Sequence, residues 1–313
     1  MAAFYTFEDL SGYKDPTTAN PYDSLIEACN NDPAQIQARY DTHRINRNAQ
    51  QKAKLLASDF AGVTIDEILA KLEDPARNPG FEDWRNCLVF WARPPKVVRE
   101  LIAEIQRKLI DVAPNLWIMP STNLHMTALE VAHSLTEQEI KDLVDKLTPK
   151  SPEITEYTND HRVRLIKPLV SYDAQALALS FLPAVNELDN TQKSAEADYT
   201  YHHLRRDLYT QAEQAGVKVA SRYVIPSSHL TIGRFITKQD FETSDGKTDA
   251  SKIQSLVERI EEINTWLKEE YWPSGNGIKD GGEWAVGEET GLDFRKGRLW
   301  YGGGETVRLG KGF

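Results

Sequence analysis

A short pattern, His-x-Thr, occurs twice in this chain with matching flanks. The first copy spans residues 125–127 and the second spans residues 229–231. In each copy an apolar residue, Pro-Ser and a short polar spacer precede the motif, and an apolar residue follows it. A single copy is explained by strand composition alone, because Thr favours strands. Two copies with shared flanks instead predict two related strands that contribute to one site.

Alternation along a β-strand places the side chains of each motif. Residues two apart point to the same face, so His125 lies beside Thr127, and His229 lies beside Thr231. Imidazoles titrate near neutral pH and can transfer protons, while hydroxyls can donate hydrogen bonds to phosphate oxygens. If both strands border one cleft, these four residues form a catalytic site suited to a phosphodiester.

The same alternation places two nearby charged residues elsewhere. It puts Glu130 on the face opposite His125, and it points Arg234 away from the cleft, where a structural role is expected. Neither motif histidine then has an identifiable carboxylate partner. The sequence therefore does not decide which imidazole acts as the base and which as the acid.

The two motifs resemble those of the 2H phosphoesterase superfamily, in which H-x-[ST]-x motifs lie on strands of two similar lobes. That superfamily includes 2′,3′-cyclic nucleotide phosphodiesterases and the so-called 2′-5′ RNA ligases. The whole chain, including residues 297–306, is similar to fungal proteins of the cyclic phosphodiesterase or RNA ligase-like type. The motif resemblance covers roughly residues 86–313. It implies a phosphodiesterase that needs no metal or cofactor and acts on a nucleoside 2′,3′-cyclic phosphate or a short RNA end.

Three alternatives stay open. A non-catalytic module could hold a nucleotide or an RNA end in the same cleft, although a pure binder does not need two groups that transfer protons. The resemblance also leaves room for 2′-5′ RNA ligase-like activity. A metal-dependent hydrolase would need carboxylates or further histidines converging on His125 and His229, and no ligand spacing in the sequence supports it.

Composition limits the partners. The chain has 313 residues and a formal net charge of −10, which argues against broad binding of long nucleic acid. No stretch is apolar enough to span a membrane, and the first residues lack a signal-peptide pattern. Cys29 and Cys87 are too few for a disulfide framework or a zinc ribbon. We expect an intracellular monomer, cytoplasmic or nuclear, whose partner is a nucleotide or a short RNA substrate.

Hydrophobic periodicity predicts an α+β fold with two pseudo-symmetric lobes, each an antiparallel sheet with helices, around a central cleft. Residues 1–80 are expected to form a helical N-terminal extension, and residues 81–313 the two-lobed domain. The predicted elements are a strand at 87–92, helices at 97–109 and 136–147, motif segments at 116–131 and 223–236, further strands at 162–169, 176–182 and within 283–307, helices at 199–215 and 253–267, and loops at 187–197 and 243–250. A doubly wound parallel sheet is disfavoured, because no Gly-rich turn joins a first strand to a first helix.

Four aromatic residues lie near or between the motif segments in the predicted order. They are Trp117, Tyr223, Trp300 and Tyr301, and an aromatic face can stack on a nucleobase. We therefore predict that these four residues bind substrate.

Overall fold

The computed structural model describes residues 20–185, 198–220, 224–275 and 277–313. Tyr223 and the predicted loop 187–197 lie outside the described residues. The helices are α1 (Asp23–Ala28), α2 (Pro33–Leu55), α3 (Glu67–Glu73), α4 (Lys96–Ile110), α5 (Glu137–Leu147), α6 (Ser151–Thr155), α7 (Tyr201–Gln214) and α8 (Ala250–Tyr271). The strands are β1 (Asn86–Ala92), β2 (Leu116–Ile118), β3 (Met126–Ala132), β4 (Val163–Tyr172), β5 (Ala176–Pro183), β6 (Ser228–Phe235), β7 (Glu283–Val286), β8 (Thr290–Arg298) and β9 (Glu305–Lys311).

All nine described strands belong to one antiparallel sheet that curls into a half-barrel. The strand order is β7-β4-β5-β6-β3-β1-β8-β9, and β2 pairs with β6 outside this path. The motif strands β3 and β6 are therefore neighbours in the middle of the sheet. The predicted α+β class with antiparallel strands is confirmed.

The helices cover the sheet with the residues that the sequence pattern predicted. In α4 the side chains spaced at helical intervals are all buried, namely Val98, Leu101, Ile102, Ile105 and Leu109. This burial contributes most of the stability of such a helix, because an amphipathic helix gains more from its packed face than from intrinsic propensity.

Helix α2, from the predicted N-terminal extension, is tied to the sheet by side-chain hydrogen bonds. Gln37 donates to the carbonyl oxygen of Pro183 over 2.8 Å, and Asn48 donates to that of Val170 over 3.0 Å. Arg44 donates to the carbonyl oxygen of Lys167 over 2.6 Å. The helix thus lies along β4 and β5 and satisfies backbone groups there. Among the described residues, no helix is long and apolar enough to cross a bilayer.

Each motif strand carries an inserted residue directly after its motif. On β3, Thr127 pairs with Trp91 and Leu129 pairs with Phe90, so Ala128 has no partner across β1. On β6, the pairing with β5 likewise skips Ile232. Each irregularity is a β-bulge, which shifts the later residues of its strand to the opposite face.

Candidate active site

A cavity of about 360 Å³ opens against the middle of the sheet. It is lined by residues of β1, β3 and β6 and by the turn that follows β8, namely Cys87, Val89, Trp91, His125, Thr127, Glu130, His133, Ser227, His229, Thr231, Arg234, Leu299 and Trp300. The four residues of the two motifs, predicted to meet in one cleft, are all among them.

The pairing of β3 with β6 sets the arrangement of the motifs. Met126 pairs with Leu230 in an antiparallel register. Extending that register by one residue places His125 opposite Thr231, and Thr127 opposite His229. Each imidazole therefore lies across from the hydroxyl of the other motif. In this register the two histidines are diagonal neighbours, with backbones roughly 7–8 Å apart.

The bulges bring two further charged side chains into the cavity. Because Ala128 is extra on β3, Glu130 shares the cavity face with Thr127. Because Ile232 is extra on β6, Arg234 shares the cavity face with the second motif. The predictions that Glu130 lies on the opposite face and that Arg234 points away from the cleft were wrong, since both assumed a regular strand. Each residue lies five positions after its motif histidine.

A backbone carbonyl and an indole ring fix the orientation of His125. Its Nδ1 lies 2.7 Å from the carbonyl oxygen of Asn123. Because a carbonyl only accepts, Nδ1 carries the proton, and Nε2 is the accepting nitrogen of the neutral ring. The imidazole stacks on Trp91, with ring centroids 3.8 Å apart and planes 17° apart. The same indole contacts the guanidinium groups of Arg93 and Arg295, at 4.7 and 4.9 Å.

His229 is oriented by a hydroxyl from its own flank. Its Nδ1 lies 3.0 Å from the Oγ of Ser227, which can act as donor or acceptor. Asn123 and Ser227 each stand two residues before their motif histidine. The same position therefore holds both imidazoles, through a backbone carbonyl in one copy and a hydroxyl in the other.

Burial and nearby cations keep both imidazoles neutral. Burial lowers the pKa of His125 to about 3, and the guanidiniums of Arg93 and Arg295 act in the same direction against the Asn123 carbonyl. Burial likewise lowers the pKa of His229 to about 3, assisted by Arg47 and Arg205. Both side chains keep part of their surface exposed to the cavity. Without a ligand, both rings are neutral at pH 7.

A hydrogen-bonded network holds Arg234 at the cavity wall. Arg234 donates to Asp66 over 3.2 Å, and the hydroxyl of Tyr301 donates to the other Asp66 oxygen over 2.7 Å. Arg85 donates to that hydroxyl over 2.9 Å, and its guanidinium lies 4.1 Å from the ring centre of Trp300. The network connects the start of α3, the start of β1, strand β6 and the turn after β8.

The predicted aromatic residues occupy different places. Trp300 lines the cavity and is 38% exposed. Trp117 and Tyr301 do not line the cavity; they contact each other edge to face with ring centroids 6.0 Å apart. Tyr301 instead belongs to the network that holds Arg234. Substrate binding by all four aromatic residues, Trp117, Tyr223, Trp300 and Tyr301, stays a prediction.

One wall of the cavity is apolar. Cys87, Val89, Trp91 and Leu299 form a buried cluster of their own, separate from the main core. Strand β1 is buried on both faces. Sequence reasoning missed this wall, because a strand that is apolar on both sides gives no sign of which side borders a ligand.

Within residues 20–185, 198–220, 224–275 and 277–313, no group of three or more His, Cys, Asp and Glu side chains could hold a metal ion. No family model matches this chain, and no curated protein matches it either. The functional assignment therefore depends on the geometry of the cavity and on the motifs themselves.

Proposed function

We propose that this protein is a metal-independent phosphodiesterase of the 2H phosphoesterase type, acting on a nucleoside 2′,3′-cyclic phosphate or a short RNA end. One observation carries the proposal: two imidazoles and two threonine hydroxyls lie crosswise on one face of β3 and β6 and line one cavity. In this proposal the strands on either side of the β3 and β6 pair correspond to the two lobes of that superfamily.

The arrangement suits general acid and base catalysis. One neutral imidazole accepts a proton from a water molecule as its oxygen bonds to phosphorus. The other imidazole, protonated, gives its proton to the ribose oxygen as the bond between that oxygen and phosphorus breaks. Thr127 and Thr231 donate hydrogen bonds to the non-bridging oxygens, where charge accumulates in the transition state. The geometry allows either His125 or His229 to serve as the base.

Both imidazoles are neutral in the free protein, so the bound substrate must raise the pKa of one of them. A phosphodiester brings a negative charge into the cavity, and a nearby negative charge raises the pKa of an imidazole. Substrate binding therefore supplies the protonated histidine that the reaction needs. Arg234, held on the same face, provides a positive charge for the phosphate.

A second candidate function is a non-catalytic binding module. The lowered pKa values of His125 and His229 favour it, because two neutral imidazoles can donate and accept hydrogen bonds without turnover. Ligase-like activity on 2′-5′ linkages would use the same groups. All three functions are separated by one assay of products.

That assay incubates the purified protein with 2′,3′-cyclic nucleotides, 2′-5′ oligonucleotides and 3′-5′ RNA ends, and resolves the products by chromatography. We expect hydrolysis of at least one class. His125→Ala and His229→Ala should each lower the rate by about 10²- to 10⁴-fold, with an unchanged circular dichroism spectrum.

His161→Ala is the matched control, since His161 does not line the cavity. A properly folded His125→Ala or His229→Ala variant that kept the wild-type rate would contradict the two-histidine mechanism. Tight nucleotide binding without turnover of any class would support the binding module instead.

A further inference from the structure

We propose that the cavity wall formed by Glu130, His133 and Trp300 is a base-recognition site that selects guanine. The inference rests on the proposed nucleotide chemistry of the neighbouring motifs. It assigns a specific base to a part of the cavity that takes no part in proton transfer.

The three side chains lie close to one another beyond the first motif. The His133 ring meets the Trp300 ring edge to face, with centroids 5.8 Å apart. Glu130 lines the same cavity as this ring pair, and so does Cys87, whose thiol has its pKa raised by burial and by the Glu130 carboxylate. A carboxylate, an imidazole and an indole therefore border one end of the cavity.

The spacing along β3 matches the length of a nucleoside. Glu130 follows Thr127 by three residues, one of which is the bulged Ala128, so the two backbones are separated by roughly 7–10 Å along the strand. A base joined to its phosphate through one ribose spans a distance of this size. A phosphate between the two motifs would thus place its base near Glu130.

The charges at the two ends of the cavity give the substrate a direction. Glu130 and Arg234 occupy equivalent positions after the two motifs, and they carry opposite charges. Arg234 is paired with Asp66 but has further N–H groups that can donate to a phosphate, whereas Glu130 only accepts and repels it. The phosphate is therefore expected beside Arg234 and the uncharged base beside Glu130.

A carboxylate at this position discriminates among bases. The Watson–Crick edge of guanine presents two adjacent donors, N1–H and the N2 amino group, which match the two oxygens of a carboxylate. Adenine and cytosine each present one amino donor next to a ring acceptor, and uracil presents one donor between two acceptors. A carboxylate only accepts hydrogen bonds, so every base except guanine would place a base acceptor next to one of the carboxylate oxygens. Because a carboxylate has about four acceptor sites, Glu130 can accept from a base while keeping a protein neighbour.

Trp300 provides an aromatic surface for the same base. Its ring is 38% exposed and borders the cavity. Arg85 covers part of the indole at 4.1 Å, and Arg85 is itself held by Asp83 over 2.8 and 2.7 Å. The indole is thereby fixed, which suits it to stacking on a base.

Isothermal titration calorimetry of the protein with each of the four nucleoside 3′-monophosphates tests the proposal, because it measures the binding affinity and needs no catalysis. We expect guanosine 3′-monophosphate to bind about tenfold or more tightly than the other three, the discrimination typical of a bidentate contact. Glu130→Gln should abolish this preference, since an amide offers one donor and one acceptor and can pair with the Watson–Crick edge of any of the four bases. Glu269→Gln, at an exposed position on α8, is the matched control and should retain the guanosine preference.

Equal affinity for the four nucleotides in the wild-type protein, or no measurable binding of any, would overturn the base site. A guanosine preference that survived in Glu130→Gln would also overturn it. Guanosine-selective binding without hydrolysis would refute the proposed phosphodiesterase but support the base site, whereas equal hydrolysis of all four 2′,3′-cyclic nucleotides would do the reverse. If Glu130→Gln failed to fold, the ranking in the wild-type protein would decide.

Discussion

Acid should destabilise this protein through its buried histidines. Burial lowers the pKa of His43 and of His203 to about 4, that of His125 and of His229 to about 3, and that of His202 well below the ordinary value. Unfolded histidines titrate near 6.5. Between these values the unfolded chain binds more protons than the folded one. The stability that these residues contribute is therefore complete above pH 6.5 and is lost as the pH falls towards 4 and 3.

The part of this acid-induced loss of stability that comes from His125 and His229 can be measured by substitution. At pH 5.5, one pH unit below the pKa of an unfolded histidine, each histidine that stays neutral in the folded state lowers the free energy of unfolding by about 1.4 kcal/mol relative to pH 8. His125 and His229 together would account for about 3 kcal/mol. Their partial exposure to the cavity reduces the expected value to about 1.5–3 kcal/mol.

Urea unfolding at pH 8 and at pH 5.5 measures this difference. Between pH 8 and pH 5.5 the free energy of unfolding falls in both proteins. In the double variant His125→Asn, His229→Asn this fall should be smaller than in the wild-type protein by about 1.5–3 kcal/mol. The double variant Thr127→Val, Thr231→Val changes the same cavity without removing a titrating group, so it should show the wild-type loss. If the histidine variant lost as much stability as the wild-type protein, within about 0.5 kcal/mol, both imidazoles would titrate normally and the argument for neutral rings would be wrong.

Three further predictions concern activity. EDTA should leave the rate unchanged, because imidazoles and hydroxyls need no bound cation; a loss on chelation that zinc or manganese restored would indicate a metal-dependent hydrolase. Thr127→Val and Thr231→Val should each lower kcat by about 10²-fold or more without moving the limbs of the pH profile, and a displaced limb would mean that the hydroxyls also set proton affinity. The pH optimum of kcat/KM, which reports the free protein, should lie on the acid side of neutrality. The pH optimum of kcat, which reports the complex, should lie at higher pH, because the bound phosphate raises the pKa of an imidazole. A kcat/KM that rose steadily to high pH would contradict paired imidazoles.

Local patterns predicted most of the secondary structure. The helix predicted at 136–147 begins at the expected place, because Thr136 caps α5: its hydroxyl accepts from the backbone N–H of Glu139, while the Glu139 carboxylate accepts from the backbone N–H of Thr136. The helix predicted at 199–215 also ends near the expected place, since Gly216 follows α7 with a φ of +78°, a conformation that favours glycine. These signals are local, so one sequence is enough to detect them.

The content of the site was predicted only in part. The motif residues were found because strict alternation holds within each His-x-Thr. The strand after each motif escapes that rule, since an extra residue in a run such as Ala-Leu-Glu-Val-Ala leaves no mark in the hydrophobic pattern. Glu130 and Arg234 were therefore assigned to the wrong face. The groups that orient the rings, Asn123 and Ser227, depend on loop conformation, which spacing alone does not specify.

The network around Arg234 has a consequence for how the protein is made. Tyr301 follows its partner Asp66 by 235 positions, and it follows the second motif by about 70. At a synthesis rate of about 5–20 residues per second, roughly 4–14 s pass between the appearance of that motif and the appearance of Tyr301. A nascent chain on the ribosome thus carries both histidines before it can complete the set of contacts that orients Arg234. In the proposed function, the contacts that hold Arg234 for a phosphate are therefore complete only after Tyr301 has been synthesised.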